Sequence, residues 1–192
     1  MLATRNGHKL REVTRLLAPA RIAVTELPAE VKLPPEDGLT FADNATPKAR
    51  TAARACRCPA IADDSGIEAQ ALGGAPGVYS ARYAGVEASD EQNLEKLMRE
   101  APPGSQLRYV CALAYIDPQR DVERVFFGEC TGRLAAEKRG TNGFGYDPAF
   151  LPDEYADGRT MAELSPEEKD RISHRARAVR AFASWLTADR DA

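Results

Sequence analysis

The 192-residue sequence predicts an α/β or α+β fold built on a mixed sheet. Three observations lead there. Leu10, Val13, Leu16 and Leu17 mark one face of a helix close to the N-terminus. Two β-rich runs, 107–116 and 122–129, flank Asp117-Pro-Gln-Arg-Asp121 and give the strongest hairpin signal in the chain. Helical and extended patterns then keep alternating to the last helix, and no linker cuts the chain into independent domains.

Met1 to Thr4 reads as a first strand, followed by the polar turn Arg5-Asn6-Gly7 and a helix from Lys9 that ends before Pro19. A turn from strand to helix offers backbone N–H groups and the positive end of the helix dipole, which suits phosphate. Thr4, Asn6 and Lys9 line it, without the glycines of a Walker A loop. Ile22 and Val24 alternate with polar residues as a second strand, and residues 27–39 form a Pro-rich acidic loop with Glu36 and Asp37. Thr40 resembles an N-cap with Asp43 three residues on, and Phe41, Ala45, Ala49, Ala52 and Ala53 form the helical face behind it. Pro47 conflicts with that helix, because an interior proline removes one hydrogen bond at a cost of roughly 3 kcal/mol. A kink, or a start later than Thr40, is expected.

Ile61 and Ala62 read as the end of a buried strand that delivers Asp63, Asp64, Ser65 and Gly66. Taken alone, Asp-Asp-Ser-Gly reads better as a polar turn, since Asp, Ser and Gly are turn residues. On an extended chain the two acids point to opposite faces, so one can face a metal or a water while the other supports it. Ile67, Ala69 and Ala71 continue as a short extended segment, and Gly73-Gly-Ala-Pro-Gly77 is a shaped loop. Ser89 with Gln92 caps a helix to about Arg99, with Leu94, Leu97 and Met98 inward. A glycine-rich loop, 140–145, leads into Phe144-Gly-Tyr-Asp-Pro148. Ser165-Pro-Glu-Glu168 starts one helix, and Ser173 opens the last, whose inner face is Val179, Phe182, Trp185 and Leu186.

Composition narrows the class. Hydrophobic content of 43% and charged content of 29% are those of a soluble globular protein. A net charge of -3 argues against a general nucleic-acid binder, while a local cation cluster can still hold a small polyanion. No run is long enough to span a membrane, and the N-terminus lacks a signal pattern, so a cytoplasmic protein is expected. Cys56, Cys58, Cys111 and Cys130 read as buried thiols in a reducing compartment.

Five separated pieces together resemble one family. They are Ala3-Thr-Arg-Asn-Gly-His-Lys9; Thr40-Phe-Ala-Asp-Asn-Ala45 with Lys48; Ala62-Asp-Asp-Ser-Gly66 running through Leu72-Gly-Gly-Ala-Pro-Gly-Val-Tyr-Ser-Ala-Arg-Tyr83; Gly143-Phe-Gly-Tyr-Asp-Pro148; and Ser173-His-Arg175. The chain resembles the inosine/xanthosine triphosphate pyrophosphatases, to about Leu186. The resemblance implies a single domain over residues 1–192, an elongated α/β fold of two lobes around a long mixed sheet, an active site in the cleft between them, and a homodimer. It also implies Mg2+-dependent hydrolysis of ITP, dITP and XTP to the monophosphate and pyrophosphate.

Site roles follow from the resemblance residue by residue. Thr4, Arg5, Asn6, Gly7, His8 and Lys9 form the first phosphate-binding turn, with Lys9 as its point charge and His8 a surface member. Lys48 adds a second cation. Asp64 matches the general base and metal-associated carboxylate, Asp63 supports it, Ser65 contacts substrate, and Glu36 helps to hold Mg2+. Phe144, Gly145, Tyr146 and Asp147, with Lys169, His174 and Arg175, match the base-reading end; Phe144 or Tyr146 stacks on the purine, and Lys169 and Arg175 donate to its 6-keto oxygen. Gln70 stands where many relatives carry an Asp, and Asp43 replaces the more usual Glu. Two other readings fit the same pocket: a nucleotide sensor without hydrolysis, and a pyrophosphatase for modified pyrimidine nucleotides.

Overall fold

The computed structural model describes residues 1–190. Among the described residues, five α-helices and four strands follow in the order α1 (Gly7–Leu17), α2 (Phe41–Cys56), β1 (Ala60–Ala69), α3 (Asp90–Glu100), β2 (Gln106–Asp117), β3 (Val122–Leu134), β4 (Phe150–Pro152), α4 (Pro166–Ile172) and α5 (His174–Arg190). The sheet runs β1-β2-β3-β4. β3 pairs antiparallel with β4 in the register Gly132↔Pro152 to Leu134↔Phe150. Parallel pairing enters through Leu2, which bridges Glu26 and Ile61.

Local signals placed the helices well. Asn6 accepts from the backbone N–H groups of His8 and Lys9, so α1 begins at Gly7, slightly ahead of the expected Lys9. Thr40 and Asp43 form a reciprocal capping box, as do Ser89 with Gln92 and Ser165 with Glu168. The expected late start of α2 is overturned: the helix begins at Phe41, directly behind its cap, and stays helical through Pro47. Proline there removes one bond to the Asp43 carbonyl. The fully buried Ala45, Ala49, Ala52 and Ala53 face and the capping box oppose that loss.

Strand limits shifted more. The first strand is reduced to bridges at Leu2, with Leu2 N–H donating to Thr25 and Ala3 N–H to Ile61. Ile22 and Val24 lie outside any strand. β1 does not end at Ala62; it continues to Ala69, so Asp63 and Asp64 are mid-strand residues. The reason is that β1 is buried on both faces, which supplies partners for polar side chains on each. The expected hairpin is present, its turn held by Asp117 Oδ1 accepting from Gln119 and Arg120 N–H groups.

The chain divides into two compact units. Unit 1 comprises Met1–Asp64, Cys111–Gly128 and the chain from His174 on. Its core gathers Leu2, Val13, Leu17, Ile61, Leu113, Val179 and Phe182, and Tyr115 lies 5.3 Å from Phe182 and 5.5 Å from Trp185. Unit 2 comprises Ser65–Val110 and Glu129–Ser173, with Ile67, Leu94, Leu97, Leu134, Phe150 and Met161 at its centre. No helix among the described residues is long and apolar enough to cross a membrane. The four cysteines form no disulfide among the described residues.

Two outcomes are expected. A Cβ at Gly128 would stand 2.1 Å from the His174 carbonyl oxygen and 2.6 Å from the Ala178 nitrogen, both backbone atoms at the start of α5. Gly128→Ala should therefore lose about 1–3 kcal/mol in urea denaturation. Burial pushes the Cys111 thiol up to about 12. Since the thiolate is the reactive form, iodoacetamide at neutral pH should label Cys111 only after unfolding, while the half-buried Cys56 and Cys58 react in the native protein.

Candidate active site

Alternation along β1 separates the two acids. Asp63, 1% exposed, meets α1 and α5: Lys9 Nζ lies 3.0 Å from its Oδ2, and Arg175 Nε and Nη2 each donate to that oxygen at 3.2 Å. Arg175 Nη1 donates to Glu12 Oε2 at 2.6 Å. Burial alone would raise the Asp63 carboxyl, but the Lys9, Arg175 and Lys48 charges outweigh it and hold the group well below the usual carboxylate range. Asp63 is thus a permanent anion at neutral pH, tied to two helices.

Asp64 meets α2. Asn44 Nδ2 donates to its Oδ2 at 2.9 Å, and Lys48 Nζ lies 3.8 Å from its Oδ1. Lys48 also donates to Glu36 Oε1 at 2.5 Å and to the Asp63 carbonyl at 2.9 Å. Asn44 and Lys48 are four apart on one helix and so share a face. Asn44 Oδ1 accepts from the Gly38 N–H at 2.8 Å; a Cβ at Gly38 would lie 2.7 Å from that oxygen, so only glycine fits this approach. Burial, the largest influence, raises the Asp64 carboxyl above its ordinary value; Lys48 and Lys9 pull against it, and Glu36 adds to it. The same lysine lowers Glu36 despite that residue's partial burial. The two neighbouring acids on β1 therefore differ: Asp63 is a structural anion and Asp64 the better proton acceptor.

Among the described residues no group of three His, Cys, Asp or Glu side chains could hold a metal ion. Mg2+ needs fewer, because it binds through one or two carboxylates together with substrate phosphates and water. Asp64 and Glu36 fit that donor set: one cation, the Lys48 ammonium, is within 4 Å of both.

The turn before α1 is held by local hydrogen bonds. Asn6 orients the first turn of α1, Thr4 Oγ1 accepts from the Asn6 N–H at 3.1 Å, and Lys9 points to Asp63. Gly7 opens the helix, and His8 is exposed against Arg11. The Arg5 guanidinium donates to the carbonyls of Leu27, Pro28, Ala29 and Val31.

In unit 2, Asp147 organises the expected base-reading loop. Its Oδ2 accepts from Lys169 Nζ at 2.6 Å and from the Phe144 N–H at 3.0 Å, and its Oδ1 accepts from the Tyr109 hydroxyl at 3.1 Å. Lys169 Nζ stands 5.0 Å from the Phe144 ring centroid. A Cβ at Gly143 would fall 2.0 Å from Asp147 Oδ2, so the loop needs glycine there. Gly145 N–H donates to Asp90. Tyr146 is buried, and its hydroxyl donates to the Ser80 carbonyl at 2.7 Å. Phe144 is the half-buried ring. Arg175, at 2% exposure, is packed against Asp63 and Glu12. His174 is buried at the start of α5, and Ser65 follows Asp64 in β1, half-buried.

A profile of the Ham1 family matches residues 1–185. The chain belongs to the Ham1 family. It is 47% identical over 186 residues to a dITP/XTP pyrophosphatase of Geobacillus kaustophilus (strain HTA426), covering 93% of this chain and 89% of that protein. It is 46% identical over 196 residues to a dITP/XTP pyrophosphatase of Yersinia pseudotuberculosis serotype I (strain IP32953), covering 97% and 96%. A HAM1 protein from Coxiella burnetii has a solved structure that superposes with a TM-score of 0.85 at 38% identity, over 97% of each chain. The Staphylococcus aureus Ham1 protein gives 0.81 at 37% identity, over 98% of this chain and 97% of that one.

Two residues of this Ham1-family site escaped sequence reasoning. Asn44 sits inside a quoted motif, and its spacing of four from Lys48 was the available signal. Glu12 had none, because its partner Arg175 lies 163 residues away. Removing the Asp63 charge leaves Lys9 and Arg175 facing each other without their shared anion. Asp63→Asn should therefore destabilise the fold by about 3–5 kcal/mol in urea denaturation at neutral pH.

Proposed function

We propose that this chain hydrolyses non-standard purine nucleoside triphosphates, dITP, ITP and XTP, to the monophosphate and pyrophosphate. The observation that carries the reading is Asp64: a carboxylate raised by burial, oriented by Asn44, and placed beside Lys48 and Glu36. Membership of the Ham1 family and the printed activity of the relatives support it.

The proposed division of labour follows the local chemistry. Lys9, Lys48 and the first turn of α1 offset the charge of the triphosphate. Asp64 accepts the proton of the water that attacks at the bond between the α- and β-phosphates, and Asn44 holds it in orientation. Asp63 keeps Lys9 on the phosphate side of α1. Asp64 and Glu36 would hold Mg2+, which supplies further neutralisation of the phosphate oxygens. Phe144 stacks on the base, and Lys169 donates to a 6-keto oxygen. The 6-amino group of adenine cannot accept that bond, and a buried donor left unpaired costs about 1–3 kcal/mol. Ser65 and His174 are further substrate contacts in this reading. The same reading takes the protein to act in the cytoplasm, as a homodimer; thiols without disulfides suit a reducing compartment.

A panel of ITP, dITP, XTP, ATP and GTP, followed by pyrophosphate release with and without Mg2+, tests the proposal. We expect kcat/KM for ITP to exceed that for ATP by about tenfold or more, and turnover to require Mg2+. Equal rates on ATP and ITP would overturn the base selection. In Asp64→Asn the amide cannot take the proton, so kcat should fall about 100-fold or more while ITP still binds. An active Asp64→Asn enzyme would remove the base assignment.

A further inference from the structure

We propose that Arg5 is a positioning residue for Glu36, acting through the loop that carries this acid, and is not a phosphate ligand. The kinetic part of the proposal rests on the pyrophosphatase reading; the structural part does not. Arg5 lies in the turn before α1, between Thr4 and Asn6. Its Nη1 donates to the Leu27 carbonyl at 2.8 Å, and its Nη2 faces the carbonyls of Pro28, Ala29 and Val31 at 2.6, 3.1 and 2.8 Å. A guanidinium is a rigid planar fork of donors. Here the fork meets a convergent set of carbonyls in a segment that has no helix or strand to satisfy them.

That segment leads directly to Glu36. After Val31 come Pro34 and Pro35, whose φ angles are fixed by their rings, and then the acid itself. Two residues later, Gly38 N–H is held by Asn44 Oδ1 at 2.8 Å. The acid is therefore carried on a stiff span anchored by Arg5 before it and by Asn44 after it. Lys48 then takes the carboxylate at 2.5 Å. The first anchor comes from the turn that carries Lys9, so the phosphate turn and the acid loop share a side chain. With its N–H groups directed at backbone carbonyls, Arg5 leaves phosphate binding in that turn to Lys9 and the N-terminus of α1.

Arg5→Ala and Arg5→Lys in the full chain test this. Hydrogen exchange of the metal-free, nucleotide-free protein reads the anchoring. Half-saturating Mg2+, KM for ITP and inhibition by pyrophosphate read its consequence. Exchange should rise across residues 27–39 in both variants and stay unchanged in α1 and α2. Half-saturating Mg2+ should rise about tenfold while pyrophosphate inhibition stays within about twofold. Lysine should not rescue, since one ammonium cannot reproduce the fork. Unchanged exchange across 27–39, or a rise spread through α1 and α2, would overturn the proposal. So would pyrophosphate inhibition that weakens in Arg5→Ala and returns in Arg5→Lys, the behaviour of a phosphate ligand. Failure of the wild-type protein to release pyrophosphate from any nucleotide would sink the pyrophosphatase reading instead, and the exchange result would still decide the anchoring.

Discussion

A buried carboxylate that must remain charged governs unit 1. Asp63 draws Lys9 from α1 and Arg175 from α5 onto one oxygen, and Arg175 in turn holds Glu12. Residues 112 and 163 apart in sequence are joined this way. Such a cluster adds little net stability over apolar packing, because desolvation offsets most of the attraction. Its consequence is specificity: any arrangement that separates one member strands the others in a low-dielectric interior. The packing of α1 and α5 and the direction of the Lys9 side chain depend on it.

The chemistry of Asp64 depends on the same strand geometry. A carboxylate beside Asp63 on one face would share its cations and stay acidic. Because successive side chains of β1 face opposite ways, Asp64 instead meets α2. There burial, with the nearby Glu36 acid, outweighs the Asn44 amide and the pull of the Lys48 and Lys9 ammonium groups. One step along a strand thus separates an anion that holds the fold from a carboxylate suited to accept a proton. Unit 2 uses a similar device, with Asp147 tying Tyr109, Lys169 and the Phe144 backbone into a fixed loop.

Much of this was legible in the sequence, and the misses share a cause. Capping boxes, the α1 and α5 faces and the β2–β3 turn were read from signals confined to a few residues. Pro47 misled because its local cost is opposed by an alanine face whose burial is a tertiary fact. The end of β1 was misplaced because a polar stretch stays extended only when both sheet faces are covered. The partners of three polar ends were not legible at all, because they come from distant parts of the chain: backbone carbonyls for Arg5, the Ser80 carbonyl for Tyr146, and two acids for Arg175.

By itself the sequence determined where the helices start and which faces they bury, and that Asp63 and Asp64 face opposite ways. These properties have a range of about four residues, set by backbone periodicity and capping. Only the tertiary structure decided which partners Asp63 and Asp64 each meet, and that the Arg5 guanidinium faces loop carbonyls. Those outcomes depend on charges and carbonyls brought together from distant parts of the chain, and the strength of each such contact is set by burial.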